Sequence, residues 1–360
     1  MENIKTNEII LFKTVSLKDK YNFFEYLSVM LDGGVGITES LMSVESKITS
    51  PYFKLKIKEL ITYIESGDSF SKAMKNMPDV FSKSEISIIE AGETSGMLAE
   101  SLMKVSDDLK KIADLRNKIK GALTYPIIIF LFLFLALFIV LTFVIPELKQ
   151  LFISVEVKLP MSTQLMIGTS NFVVDNIGTL FLSLLGFILF IYGYKNTSSG
   201  KIAIENFIFG LPLVGSVYRN YILSNIASTL GTLLGSGVSV LKTLKLVGKA
   251  TNNSVYEGLF EDVVVSVSGG EKIVKSMEKA DPEKIYFPAD FLQMLSVGER
   301  TSNIEKISKK LSNQYTKEVY YSLANLTKWI EPIAILISAI FVAWFAYAIV
   351  GAILKVTQSV

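Results

Sequence analysis

Hydrophobic positions along the chain follow two patterns, and both predict helices. In the first, apolar residues recur at helical spacing among polar ones. Ile57, Leu60, Ile61 and Ile64 fall at i, i+3, i+4 and i+7, which lines one face of a helix. Leu98, Leu102, Val105, Leu109 and Ile112 continue such a seam. Nothing resembles a run of alternating strands apart from VVVSVSG at Val263–Gly269. That stretch is read as helix, because the segment it corresponds to earlier in the chain, around Ile61–Gly67, is helical. In the second pattern the apolar residues run without interruption. Pro126–Ile145 carries no charge, Ile177–Tyr194 contains Gly178, Gly186 and Gly193, and Ile333–Leu354 contains Trp344 and Tyr347. About 20 helical residues cover the roughly 30 Å hydrocarbon core of a bilayer. Length and lack of charge argue for membrane spans in the first and third runs. The second is shorter and starts close to Asp175, so a buried core helix stays open there.

The polar–apolar text is written twice. LDGGVGITESL at Leu31–Leu41 matches LGSGVSVLKTL at Leu234–Leu244, with Gly34 on Gly237, Val35 on Val238 and Leu41 on Leu244. Gly67 then matches Gly270, Lys72 matches Lys275 and Met74 matches Met277. The offset is about 203 positions and then grows by about three, a period that signals duplication of a whole domain and not a solenoid unit. After the shift Gly92-Glu93 meets Gly298-Glu299, Ser106 meets Ser312, and Pro126 meets Pro332. The paired glycines around positions 33–34 and 235–237 predict a turn between helices, and Gly67-Asp68 and Gly270-Glu271 predict another. From Met97 no proline or glycine interrupts the chain until Gly121, so one stiff helix is expected to run into the first span. The same holds from Asn303 to Glu331-Pro332, and each proline is expected to bend its helix where it enters the membrane.

Composition agrees with a membrane protein carrying sizeable soluble parts. Half of the 360 residues are hydrophobic and mean hydropathy is +0.43. Net charge is +2, so no global field favours nucleic acid, and none is expected to bind directly. The absence of cysteine excludes disulfide and thiolate chemistry, and the absence of histidine removes the commonest general base and zinc ligand. The opening MENIKTNEII carries acids and lacks a signal-peptide core, so no removable leader is expected.

Basic residues orient the spans. Lys104, Lys110, Lys111, Arg116, Lys118 and Lys120 precede the first, whereas only Lys149 and Lys158 lie between it and Asp175. Lys195, Lys201 and Arg219 follow the second, and Lys309, Lys310, Lys317 and Lys328 precede the third. The N-terminus is therefore expected in the cytoplasm. The division that follows is a short cytoplasmic segment at 1–17 and a helical domain at 18–121. A membrane helix at 122–146 leads to a short extracytoplasmic loop at 147–175. A returning helix at 176–195 leads to a second helical domain at 196–328, a third membrane helix at 329–355 and an outer tail at 356–360. Each copy ends in an outbound helix and the middle span brings the chain back, so the repeats are parallel, unlike the inverted repeats of many transporters.

SGDSFSKAM at Ser66–Met74, EAGETSGML at Glu90–Leu98 and ALTYP at Ala122–Pro126, with VGER at Val297–Arg300 and WIEP at Trp329–Pro332, resemble the inner-membrane platform family of type II secretion and type IV pilus machines. The resemblance covers roughly Leu17–Leu354. It implies an all-α membrane protein with two homologous cytoplasmic bundles of about six helices each and three membrane helices, in a bacterial inner membrane. It also implies homo-oligomerisation and a place between a hexameric cytoplasmic assembly ATPase, pilin or pseudopilin subunits and other inner-membrane assembly proteins. Two departures stand out. The segment before the first domain is short where longer members carry more. Ser302 and Asn303 replace Gly96-Met97, so the same close helix approach is not predicted in the second copy.

Candidate sites follow from the paired motifs. GSGVSVLKT at Gly235–Thr243 is only faintly like a phosphate loop, with Leu241 where a second glycine belongs and no strand before it, so a helix–turn–helix joint is expected and no cofactor. Glu93 and Glu299, beside Gly92, Gly96 and Gly298, fit a carboxylate cap on a helix start or a contact between domains or protomers with a cation. Tyr125-Pro126 and Glu331-Pro332 stand where the outbound helices meet the membrane, and Glu331 there fits a functional group or a solvated one. The lysines from Lys104 to Lys120 fit a solvated face or binding of anionic lipid heads. No carboxylate pair has a supporting nucleophile, base or metal-ligand arrangement, so no catalytic or metal centre is expected. The alternative of a small-solute transporter or permease subunit would need ionisable residues at midplane depth, and the first and third spans offer only Thr142 and Ser338.

Overall fold

The computed structural model describes residues 14–153 and 160–359, and every regular element among them is a helix. Repeat 1 comprises α1 (Leu17–Asp32), α2 (Ile37–Lys47), α3 (Pro51–Glu65), α4 (Phe70–Lys75), α5 (Lys83–Ser95) and α6 (Leu98–Ile139). A π turn at Val140–Val144 joins α6 to α7 (Ile145–Ile153). Then come α8 (Met161–Asp175), α9 (Ile177–Lys195) and α10 (Ser198–Gly210). Repeat 2 comprises α11 (Val214–Gly235), α12 (Val240–Ala250), α13 (Ser254–Ser268), α14 (Ile273–Ala280), α15 (Ala289–Arg300) and α16 (Ile304–Ser359). The VVVSVSG stretch is the end of α13.

Local chemistry sets the helix ends. Ser16, Ser50, Ser69 and Ser82 each accept a backbone N–H at the start of α1, α3, α4 and α5. Between α1 and α2 the chain turns at Gly34 with φ of 84°, and between α11 and α12 at Gly237 with φ of 79°. A side chain is strained in that left-handed region, which is why the repeated glycine was a readable turn signal. The α11–α12 joint is thus the helix–turn–helix expected for GSGVSVLKT. Each repeat closes on its own aromatic core. Phe23 packs against Phe24 and Phe53 at 5.2 and 5.3 Å between ring centres. In repeat 2 Phe287 packs against Tyr256 and Phe260 at 5.6 and 5.8 Å.

The described chain separates into two compact units. The chain up to Asn117 and Gly215–Tyr320 form one, so the greater part of both repeats shares one compact unit. Lys118–Val214 and Tyr321–Val360 form the other. Among the described residues three helical stretches, Leu98–Gln150, Ile177–Lys195 and Ile304–Leu354, are long and apolar enough to cross a membrane, and the side chains of their apolar runs are largely exposed. The chain is a membrane protein with two homologous six-helix domains.

Two sequence expectations change. α10, grouped with the second helical domain by the sequence, packs on α9 and belongs to the same unit as α9. The stretch 147–175 is mostly helical: α8 packs on α7 and the π turn, with Met166 fully buried in a cluster that includes Leu141, Ile145 and Ala348. As expected, α6 and α16 run unbroken into the apolar runs, through Pro126 and Pro332, and the departure from α geometry inside the first run is the π turn.

Candidate functional site

The EAGETSG motif is a joint between three helices. Gly92 sits where a Cβ would overlap the Ser101 side chain, so α6 crosses close over the end of α5. Gly96 follows with φ of 74°, and Met97 N donates to Gly92 O at 2.7 Å, which ends α5 and restarts the chain as α6. Glu93, half-buried, turns the other way. Its carboxylate accepts from Phe70 N at 2.7 Å, Ser71 N at 3.1 Å and the Ser71 hydroxyl, and so satisfies the open N–H groups of α4.

Repeat 2 builds the same joint from a different sequence. Glu299 accepts from Ile273 N at 2.5 Å and Val274 N at 3.4 Å at the start of α14. Asn303 N donates to Gly298 O at 2.8 Å, and Ser302 takes the left-handed turn with φ of 55° despite its side chain. A Cβ on Gly298 would stand 3.0 Å from Ile307 Cβ and 3.1 Å from Ile304 Cα. The close helix approach is therefore kept in the second copy, because it depends on Gly298 and not on the residue at the turn. Among the described residues, Glu93 and Glu299 each accept these hydrogen bonds from their own repeat. The geometry is that of a cap on a neighbouring helix.

Contact between the repeats is made elsewhere, along α5 and α6 against α11 and α12. Glu90 meets Lys75 of its own repeat at 2.5 Å and Lys242 of the other at 3.2 Å, and these two cations hold its carboxyl below the ordinary range. Lys104 Nζ donates to Gly235 O at 3.3 Å, and Arg116 Nε donates to Tyr221 OH at 3.3 Å. Ser228 donates to Asp108 at 3.1 Å. Burial pushes the Asp108 carboxyl up, against hydrogen bonds from Thr232 and Ser228 and the charge of Lys111. A cavity of about 490 Å³ opens along this seam, lined by Asp108, Arg116, Tyr218, Tyr221 and Lys249 among others. Of the basic residues of α6, Lys104 and Arg116 are thus engaged at the seam.

Tyr125 and Glu331 are exposed on α6 and α16, while Pro126 is buried. Sequence reasoning missed the buried ion pair of Lys20 and Glu85, whose atoms lie 2.8 Å apart. Two signals could have found it. Lys20 lies one turn before Phe23 and Phe24 on the apolar stripe of α1, and Ser82-Lys83-Ser84-Glu85 is a capping box, with both of its hydrogen bonds formed. Among the described residues no group of three acidic side chains could hold a metal ion.

Fold and site together define a membrane-anchored helical scaffold whose soluble part is a duplicated, cross-linked bundle. Residues 23–146 and 226–352 each match the family of the type II secretion system (T2SS) protein F, and the chain belongs to that family. It is similar to the type IV pilus assembly protein PilC of Thermus thermophilus, 30% identical over 91% of this chain and 79% of that one. It is similar also to PilC of Myxococcus xanthus, 29% identical over 89% and 76%. The type II secretion system protein F of Aeromonas hydrophila is 24% identical over 99% and 91%.

Proposed function

We propose that this protein is the inner-membrane platform of a type IV pilus or type II secretion-type machine. In this reading it couples a cytoplasmic hexameric ATPase to the insertion of pilin or pseudopilin subunits into a growing fibre. It is a homo-oligomer and does no chemistry of its own, so the energy comes from the ATPase. The N-terminus and both repeats lie in the cytoplasm, the middle span returns the chain, and the end of α16 lies outside. Glu331 and Tyr125 then stand at the cytoplasmic face of the bilayer, available to partners or lipid heads.

The observation that carries this reading is the seam. Glu90–Lys242, Lys104–Gly235 and Asp108–Ser228 join the repeats directly, and two domains can bond this way only on one side of a membrane. The clustering of basic residues next to the spans favours the cytoplasmic side. The names of the relatives supply the class of machine. Affinity purification of the tagged full-length protein from membranes tests it. Co-recovery of an ATPase and pilin-like proteins is expected, and deletion of the gene should abolish surface fibres or secretion. Solute flux by the purified protein alone in vesicles, or a deletion strain with unchanged fibres and secretion, would overturn it.

A further inference from the structure

The helix α8 poses a question that the three spans leave open, because it has an exposed apolar face. One side of α8 is buried: Thr163, Met166 and Ser170, at i, i+3 and i+7, are 0%, 0% and 1% exposed. The opposite side carries Met161, Leu165 and Phe172, which are 77%, 56% and 59% exposed. No charged residue occurs from Pro160 to Val174. A helix without charge that exposes Met161, Leu165 and Phe172 is not built for water.

Two hydrogen bonds fix its depth. Ser170 Oγ donates to Leu141 O at 2.5 Å, in the π turn, and Thr163 Oγ1 donates to Ala348 O at 2.6 Å, in α16. The apolar run through α6 is free of charge from Gly121 to Pro146, and Leu141 stands about 9 Å of helix rise before Glu147. In α16 the run is free of charge from Pro332 to Leu354, and Ala348 stands about 10 Å before Lys355. Both anchors therefore lie inside the uncharged zone. The two hydroxyls are themselves about 10 Å apart along α8, so both ends of its buried face meet uncharged stretches of the long helices. A helix satisfies its own backbone groups, which permits such a position within hydrocarbon. Lys149 Nζ donates to Asn171 Oδ1 at 3.0 Å, which gives α8 one polar rim next to the charged end of α7. Its apolar face runs on toward the exposed surface of α9, which starts two residues after Asp175.

We infer that α8 is embedded in the leaflet at the far end of α6 and α16, with Met161, Leu165 and Phe172 against lipid acyl chains. The chain then has three spans and one buried half-depth helix, and Thr163 and Ser170 are positioning residues that pin it to both outbound helices. The absence of cysteine makes the test direct. Leu165→Cys and Phe172→Cys are made singly in the full-length protein, reconstituted in bilayer nanodiscs and labelled with an environment-sensitive fluorophore. Lipids spin-labelled on the acyl chain should quench both labels more strongly than headgroup-labelled lipids. A membrane-impermeant maleimide should react with both cysteines at least about ten-fold more slowly than with Val265→Cys, an exposed position on α13. Reaction as fast as at Val265→Cys without acyl-chain quenching would put α8 in water and overturn the inference. Protection without quenching would show that a second copy or another protein covers the face, which overturns it equally.

Discussion

The two repeats reach one architecture with different interiors. In repeat 1 the buried pair Lys20–Glu85 bridges α1 and α5, with the two residues 8% and 7% exposed. The repeat offset carries these positions to Leu223 and Phe291 in repeat 2, which are 0% exposed. One copy thus holds an ion pair where the other holds hydrocarbon. A buried ion pair must recover a large desolvation cost, and an apolar pair of similar size is often as stable or more so. The fold accordingly demands filled volume at these positions and not charge. The charge in repeat 1 does a second thing, since Glu85 also accepts from Ser82 N at 2.9 Å and closes the capping box of α5. Repeat 2 starts the matching helix α15 with Pro288 instead and sends Asp290 to the Tyr315 hydroxyl at 2.9 Å.

The comparison breaks most sharply at the ion pair. Lys20→Ala leaves a buried carboxylate without its partner and is expected to destabilise repeat 1 by about 3–5 kcal/mol. The double change Lys20→Leu with Glu85→Phe, which imports the repeat 2 residues, should recover most of that loss. Hydrogen exchange of α1 and α5 amides reads both. Equal losses in the single and double variants would mean that volume alone does not explain the exchange.

The glycine pair comes next. Gly92→Ala overlaps the Ser101 side chain and is expected to cost about 2–3 kcal/mol, whereas Gly298→Ala, squeezed against Ile304 and Ile307 at 3.0–3.2 Å but not overlapping them, should cost nearer 1 kcal/mol. Thermal unfolding of the full-length protein in detergent orders the two.

Replacing the capping carboxylates should cost less again. Glu93→Ala loses three hydrogen bonds and Glu299→Ala two, so losses of about 2 and about 1 kcal/mol are expected, seen as faster exchange at Phe70 and Ser71 or at Ile273 and Val274. Equal losses would show that the third bond, from the Ser71 hydroxyl, is worth nothing.

The smallest effect lies at the seam and depends on pH. Burial raises the Asp108 pKa in the folded state, so the folded protein holds this proton more tightly than the unfolded chain. Its stabilising contribution is present below the ordinary carboxylate pKa and fades as pH rises through the raised value. Glu90 behaves oppositely: its pKa is lowered by Lys75 and Lys242, so its contribution is lost as pH falls through that lowered value. Asp108→Asn should remove the loss on the alkaline side and leave the acid-side loss due to Glu90. Unfolding midpoints measured across mildly acidic pH separate the two.

Much of this was legible in the sequence because it is local or periodic. Helices announce themselves at i, i+3 and i+4, spans by uncharged length, and the duplication by Gly34 and Gly237. The grouping of α10 was not legible. Lys201 and Glu205 make α10 look soluble, and only its packing on α9 assigns it to the membrane unit. A helix cap was one of two readings open for Glu93, but its partner was not legible, because the N–H groups it caps lie more than twenty residues away in α4. Asp108 reads as one more charge on a lysine-rich helix until α11 covers it.

By itself the sequence determined the helical class, the two copies, the three spans and the turns, since each rests on neighbours along the chain: backbone sterics at a glycine, one face of a helix, one bilayer thickness. Only the tertiary structure decided that the copies share a single unit, which carboxylates become caps or seam contacts, and that α8 is pinned by Thr163 and Ser170. Those outcomes depend on which distant groups meet when water is excluded, and an unpaired polar group is costly only then.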